Sequence, residues 1–118
     1  MFEYDYDMLA SGTDECPFVT AEPHAGITAY CTMEPCLMCF GALMLHGIGA
    51  VVYAYEDAMG GGTRCRRSRL NPLYRNNRIA VRGGVRREES LALFKAFFSD
   101  RANRYWHASH LADYTLRQ

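Results

Sequence analysis

The sequence has no long apolar run, no internal repeat and no low-complexity segment, and it holds a single lysine and a single tryptophan. No stretch approaches the ~20 apolar residues that a helical membrane span requires. No charged-then-apolar leader opens the chain, so secretory processing is not expected. Five cysteines, an odd number, argue against a disulfide framework and for a reducing compartment, and the cytoplasm is the expected location. With 118 residues, 49% of them apolar and 13% aromatic, the chain is expected to fold as one small domain over residues 1–118 rather than remain disordered. Basic residues are absent from a whole half of it. Residues 1–63 carry nine acids and no Lys or Arg, whereas residues 64–118 carry all thirteen bases and four acids, so the halves stand at −9 and +9. Two readings of this asymmetry stay open. Oppositely charged surfaces can attract each other within one fold or across a dimer. Alternatively, Arg64, Arg66, Arg67 and Arg69 begin a nucleic-acid footprint, since arginine suits bidentate phosphate contacts and base stacking.

The most informative stretch is Thr32-Met33-Glu34-Pro35-Cys36-Leu37-Met38-Cys39-Phe40-Gly41-Ala42. A short strand signal (Ile27 to Thr32) runs into it and an apolar segment with helical spacing (Cys36 to His46) runs out of it. Pro35 suits the first position of a helix, where a missing N–H costs nothing. Cys36 and Cys39, at i and i+3, then share one face of the first turn, where the positive helix end favours thiolates. Two such thiolates are half of a tetrahedral zinc site.

Along the rest of the chain, Met1 to Ala10 has helical spacing without a capping residue, as if an element began partway along, and residues 12–26 read as a loop. Gly47 is placed to end the motif helix. Ala50 to Tyr55 is a continuous apolar strand, as in a sheet covered on both faces. Glu56 to Arg69 reads as a glycine-containing loop, Ile79 to Arg82 as a third strand, and Glu88 to Asp100 as an amphipathic helix with Leu91, Leu93, Phe94, Phe97 and Phe98 inward. Residues 101–118 form a basic aromatic tail with a last helix around Leu111. Alternating strands and helices imply an α/β architecture.

The stretch from Thr32 to Gly62 resembles the second zinc motif of the cytidine/deoxycytidylate deaminase superfamily, whose signature is H-x-E followed by P-C-x-x-C. Within it, the bacterial tRNA adenosine deaminase group is most similar in Glu-Pro-Cys-x-Met-Cys-x-Gly-Ala, in Ile48 to Tyr53, in Asp57-Ala58 with its glycine run, and in the segment from Gly84 to Phe98. The resemblance covers roughly residues 27–100 and implies a three-layer α/β/α sandwich with a mixed sheet, here N-terminally incomplete. It implies zinc-dependent hydrolytic deamination, most similar to adenosine-to-inosine conversion in tRNA or a related nucleoside, by a homodimer. By that resemblance Cys36 and Cys39 are thiolate ligands. Pro35, Asp57 and Arg64 lie toward the substrate, with the backbone of Pro35 and Cys36 beside the reacting centre.

The H-x-E half of the signature does not occur in these 118 residues. Three explanations compete. The chain is an N-terminally shortened form whose His and Glu lie upstream of Met1, Met1 to Ala10 being the end of their helix. Or Asp5 and Asp7 stand in for the pair, Asp5 as ligand and Asp7 as proton shuttle, against the plain alternative of solvated acids at a helix end. Or His24, in a Pro-His-Ala-Gly loop, swings in as third ligand, although a loop histidine beside glycine is ordinarily just exposed. A chain lacking two of the family's strands is expected to be poorly stable alone or to self-associate. The alternative function is a non-catalytic deaminase-like module that binds zinc or RNA, or serves as a dimer partner, without the proton shuttle. A thiol–disulfide protein is a more distant reading of Cys-x-x-Cys.

Overall fold

A computed structural model describes residues 24–118. The helix expected over residues 1–10, including Asp5 and Asp7, lies outside the described residues. Those residues form β1 (Thr28–Met33), α1 (Leu37–Leu45), β2 (Ala50–Tyr55), a 3-10 turn (Arg67–Arg69), α2 (Pro72–Arg75), β3 (Ala80–Arg82), α3 (Arg87–Ser99) and α4 (His110–Arg117). The sheet has the order β1-β2-β3. Ala29 pairs with Val51 and Cys31 with Tyr53, while Val51 pairs with Val81, and both ladders are parallel. A mixed sheet was the expectation. Among the described residues it is parallel throughout, because a helical crossover, not a hairpin, joins each strand to the next.

In a parallel ladder paired residues share a face. Ala29, Cys31, Val51 and Val81 all turn toward α1, where Phe40 and Met44 close a core with Ile79. At the far end of the strands a second cluster gathers Tyr55, Leu91 and Leu111, with Met33, Phe94, Phe98 and Tyr114 against it. The opposite face of the sheet carries Tyr30, Thr32, Val52 and Ala54. It meets the start of α3 across an open groove of about 340 Å³, lined also by Val85, Glu89 and Leu93.

Three local expectations need correction. A helix turns about 100° per residue, so Leu91, Phe94 and Phe98 share the buried face of α3 while Leu93 and Phe97 fall on the other; they are 72% and 43% exposed. Pro35 is not the first helical residue. Cys36 is the extended N-cap (φ −67°, ψ 169°) and Leu37 begins α1. The segment read as loop up to Arg69 ends in a 3-10 turn, and α2 follows with Pro72 in its first turn. Gly47 does end α1 in the left-handed region (φ 68°), with its N–H donating to Met44 O at 3.1 Å.

Polar contacts tie the pieces together. Arg67 donates to the carbonyls of Asn77 and Ile79 and lies over the Phe40 ring at 5.9 Å, so this arginine serves the core rather than a ligand. Glu56, from the acidic half, accepts from Arg87 Nε at 2.8 Å and from Tyr114 Oη at 2.8 Å, which joins β2 to both α3 and α4. Beneath that pair the Tyr55 and Thr115 hydroxyls are hydrogen-bonded at 2.9 Å, both residues fully buried.

Two outcomes follow from this packing. Phe40→Ala removes a ring with no exposure and is expected to cost about 3–5 kcal/mol in urea unfolding. The Arg87 guanidinium holds the Glu56 carboxyl down to about 2. The stability it contributes is therefore complete above its ordinary value and lost as pH falls from about 4.5 toward 2. Glu56→Gln should cost roughly 1.5–3 kcal/mol near neutrality and flatten that acid limb, as read from urea midpoints against pH.

Candidate zinc and active-site corner

The chain turns from β1 into α1 through Glu34, Pro35 and Cys36. Glu34 is 5% exposed, and its N–H donates to Tyr55 O at 2.8 Å. A carboxylate this deeply placed needs donors. It has three: the N–H of Thr63 at 3.1 Å, the Thr63 hydroxyl at 2.6 Å and the N–H of Asp57 at 3.3 Å. All come from the 57–63 loop that leaves β2. Asp57 shapes the same loop, its Oδ1 accepting from the N–H groups of Met59 and Gly60 at 2.9 and 2.8 Å. The Gly62 N–H then donates to Pro35 O at 2.8 Å, and Gly61 bridges antiparallel to Cys36. The two glycines are required by proximity. A Cβ at Gly61 would sit 2.4 Å from the Glu34 carboxyl carbon, and one at Gly62 2.5 Å from Leu37 Cα.

This wrap presents the two cysteines at the N-cap and third residue of α1. Cys36 is half-buried and Cys39 exposed. The Cys39 backbone N–H, then the Cys39 thiol, pull the Cys36 thiol below the ordinary cysteine value. The Cys36 thiol in turn pushes Cys39 up. Two cysteines at the N-cap and third residue of one helix, the first with its thiol drawn below the ordinary value, suit a soft divalent metal; zinc fits this half of a donor set. Among the described residues no group of three His, Cys, Asp or Glu side chains gathers around them.

The other candidate residues are distributed as follows. Pro35 is buried with its carbonyl engaged by Gly62, Asp57 closes the adjoining loop, and Arg64 is exposed directly after the Thr63 that binds Glu34. His24 is exposed in the turn that precedes β1. It lies at the opposite end of a six-residue strand from the thiolates, about 20 Å of chain at 3.3 Å per residue, and is not brought to them. Cys31 packs in the core as a small apolar residue, and burial pushes its thiol up.

The cytidine and deoxycytidylate deaminase zinc-binding region matches residues 13–55, which contain β1, the corner, α1 and β2. The match places this segment among the zinc-binding regions of cytidine and deoxycytidylate deaminases. Among the proteins to which the chain is similar is the tRNA-specific adenosine deaminase of Bacillus subtilis (strain 168), 36% identical over 75 residues, 64% of this chain and 47% of that protein. The tRNA-specific adenosine deaminase of Streptococcus pyogenes serotype M1 is 31% identical over 84 residues, 71% and 49% of the two chains. That of Haemophilus influenzae is 32% identical over 74 residues, 63% and 43%. The aligned part thus spans about half the length of these curated relatives. No solved structure matches the chain at comparable stringency.

The residue that sequence reasoning passed over in this corner is Glu34. It stands in the motif as the lead-in to Pro35, and its signal was that a carboxylate between an apolar strand and a proline is poorly placed for solvent. Glu34→Ala leaves the N–H groups of Asp57 and Thr63 without their acceptor, and each buried orphan costs about 1–3 kcal/mol. Loss of roughly 3 kcal/mol in urea unfolding, with faster amide exchange across residues 57–63, is expected; slow exchange there in the variant would contradict the pinning role.

Proposed function

We propose that this chain is the thiolate half of a zinc-dependent nucleobase deaminase that converts adenosine to inosine in tRNA or a related nucleoside. The observation that carries this reading is the corner itself. Cys36 and Cys39 share one helix end, held against a loop that arrives on Glu34, Gly61 and Gly62. The comparisons support it, because relatives over this region are tRNA-specific adenosine deaminases.

In this reading Cys36 and Cys39 hold the metal. The zinc, when bound, supplies a hydroxide at neutral pH by lowering the pKa of its water. The chain's own residues place the base. Asp57 and Thr63 fix the loop wall through Glu34, Pro35 closes the floor beside the reacting carbon, and Arg64 meets the backbone of the extruded nucleotide. A base in a single-stranded loop is the cheapest to extrude. A carboxylate must carry the proton to the leaving ammonia. Asp7 is this chain's candidate for that role and Asp5 for a third ligand, both outside the described residues. The remaining elements of the reading are the family's α/β/α sandwich, a homodimer and a cytoplasmic location. Among the described residues no helix is long and apolar enough to cross a membrane.

The absence of His-x-Glu from the sequence favours one second reading, a deaminase-like module that keeps zinc or RNA binding without turnover. Metal analysis and product analysis separate the two. The purified chain is expected to carry zinc that Cys36→Ser or Cys39→Ser abolishes, and inosine formation from an anticodon-arm RNA, scored by nucleoside mass spectrometry, is expected once a His-x-Glu segment is supplied with it. Zinc retained by both serine variants would refute the assignment of the ligands; zinc bound without inosine even then would favour the module.

A further inference from the structure

Helix α4 is remote in sequence from the thiolate corner, yet it grips the strand end from which the corner is built. Tyr114 and Glu56 are 58 residues apart, and the Glu56 carboxylate accepts from Tyr114 Oη at 2.8 Å. The first residue of α3 takes the same carboxylate as a fork, Arg87 Nε at 2.8 Å and Nη2 at 2.6 Å. A fork fixes direction as well as distance. The Arg87 guanidinium lies over the Tyr55 ring at 5.5 Å, and that ring packs on Phe94 and Tyr114 with centroids 5.4 and 6.4 Å away. The Glu56 carboxyl, held down to about 2, is ionised throughout the neutral range, so the grip is constant there.

Glu34 holds the same strand end from the other direction. Its N–H donates to the Tyr55 carbonyl at 2.8 Å, and its carboxylate accepts from the Asp57 N–H at 3.3 Å. Glu34 therefore takes residues 55 and 57, while Arg87 and Tyr114 take residue 56 between them. The backbone has only two soft torsions per residue, so fixing Glu56 leaves the peptide units beside it little freedom. Beyond it the Gly61 N–H donates to Asp57 O at 3.1 Å, and Gly61 bridges to Cys36. A path thus runs from Tyr114 to Glu56, along the backbone to Asp57, on to Gly61 and so to the first thiol. A helix that only covered Leu91 and Leu111 could do so with apolar side chains. A partly buried ion pair adds little stability over apolar groups of the same shape; what it supplies here is geometry.

We infer that Arg87 and Tyr114 are positioning residues for the corner, acting through Glu56, and that α3 and α4 thereby set the 57–63 loop and the access to Cys36. That the corner is a reacting site rests on the function proposed above. The coupling itself needs neither metal nor RNA.

The 118-residue chain is compared with Tyr114→Phe, Arg87→Gln, Arg87→Lys and Ile79→Val by amide exchange and by alkylation of Cys36 with iodoacetamide, both read by peptide mass. Urea midpoints give the global stability that each variant loses. Tyr114→Phe keeps the ring and removes one donor to the carboxylate; it should speed exchange over residues 57–63, and alkylation of Cys36, by about tenfold. Arg87→Gln should do more. Arg87→Lys keeps the charge without the fork and should fall between Arg87→Gln and the parent. Exchange over residues 40–44 of α1 should change only as the urea midpoint predicts. Ile79→Val lowers stability from the other core and should leave the loop and Cys36 as they are. Should Arg87→Gln not fold, Tyr114→Phe decides alone. Unaltered exchange over 57–63 in folded Tyr114→Phe, or faster exchange there without faster alkylation of Cys36, would overturn the inference. So would acceleration of all peptides in proportion to lost stability, or the same loosening in Ile79→Val, since each makes the two helices a general support. Failure to bind zinc or form inosine counts against the proposed function and leaves the coupling standing, whereas unaltered exchange removes the coupling and leaves that function in place.

Discussion

A carboxylate removed from water must find its donors within the protein, and Glu34 finds three on the loop that follows β2. Much of the corner's geometry depends on that requirement. The loop cannot approach Glu34 unless residues 61 and 62 lack side chains, and once there it fixes the Pro35 carbonyl through the Gly62 N–H. With Pro35 fixed and Cys36 extended, α1 starts at Leu37 and the two cysteines fall at its N-cap and third residue. The thiolate pair is therefore positioned by a hydrogen-bond network that contains no sulfur. Chemistry and architecture are separable here: exchanging sulfur for oxygen at position 36 or 39 changes the donor set, while changing Glu34 moves the scaffold.

The division of charge along the sequence resolves into distinct roles. Glu56 and Arg87 come from opposite halves and meet as the clasp between sheet and helices, which realises the attraction within one fold. Arg67 is drawn into the core boundary over Phe40. Arg86 pairs with Glu89 one turn along α3. Arg64 follows the pinned loop, and Arg101 and Arg104 are exposed in the turn after α3.

How much of this was legible in the sequence depended on how local the cause was. The strand Ala50–Tyr55 and the helix ended by Gly47 follow from composition and a single left-handed residue, and both stand as expected. The pair Cys36 and Cys39 was readable because i, i+3 spacing at a strand-to-helix corner has few other uses. The helix start was misplaced by two positions, since an antiparallel bridge from residue 61 holds Cys36 extended, and no local signal announces a partner twenty-five residues away. Leu93 and Phe97 were assigned inward by hydrophobicity; their angular position on α3 put them outside. The turn and short helix over residues 67–75 escaped because Arg67 donating forward to the Asn77 and Ile79 carbonyls, and Asn77 donating back to Met44 O, hold that region rather than its own periodicity.

The parallel register of the sheet also bears on how the chain reaches this structure. Thr28 pairs with Ala50 and Ala50 with Ala80, so each ladder forms only after a long connection has closed. No hairpin among the described residues can supply an early local nucleus. Helix α1 can form on its own timescale, but Val51 and Ile79 must arrive before Phe40 and Met44 are covered. Collapse onto α1 and the meeting of strands are thus one event, and the transition state should be rich in contacts distant in sequence. Until that event the apolar strand Ala50–Tyr55 is open to other chains, which makes the interval of assembly, more than the finished fold, the stage most exposed to aggregation.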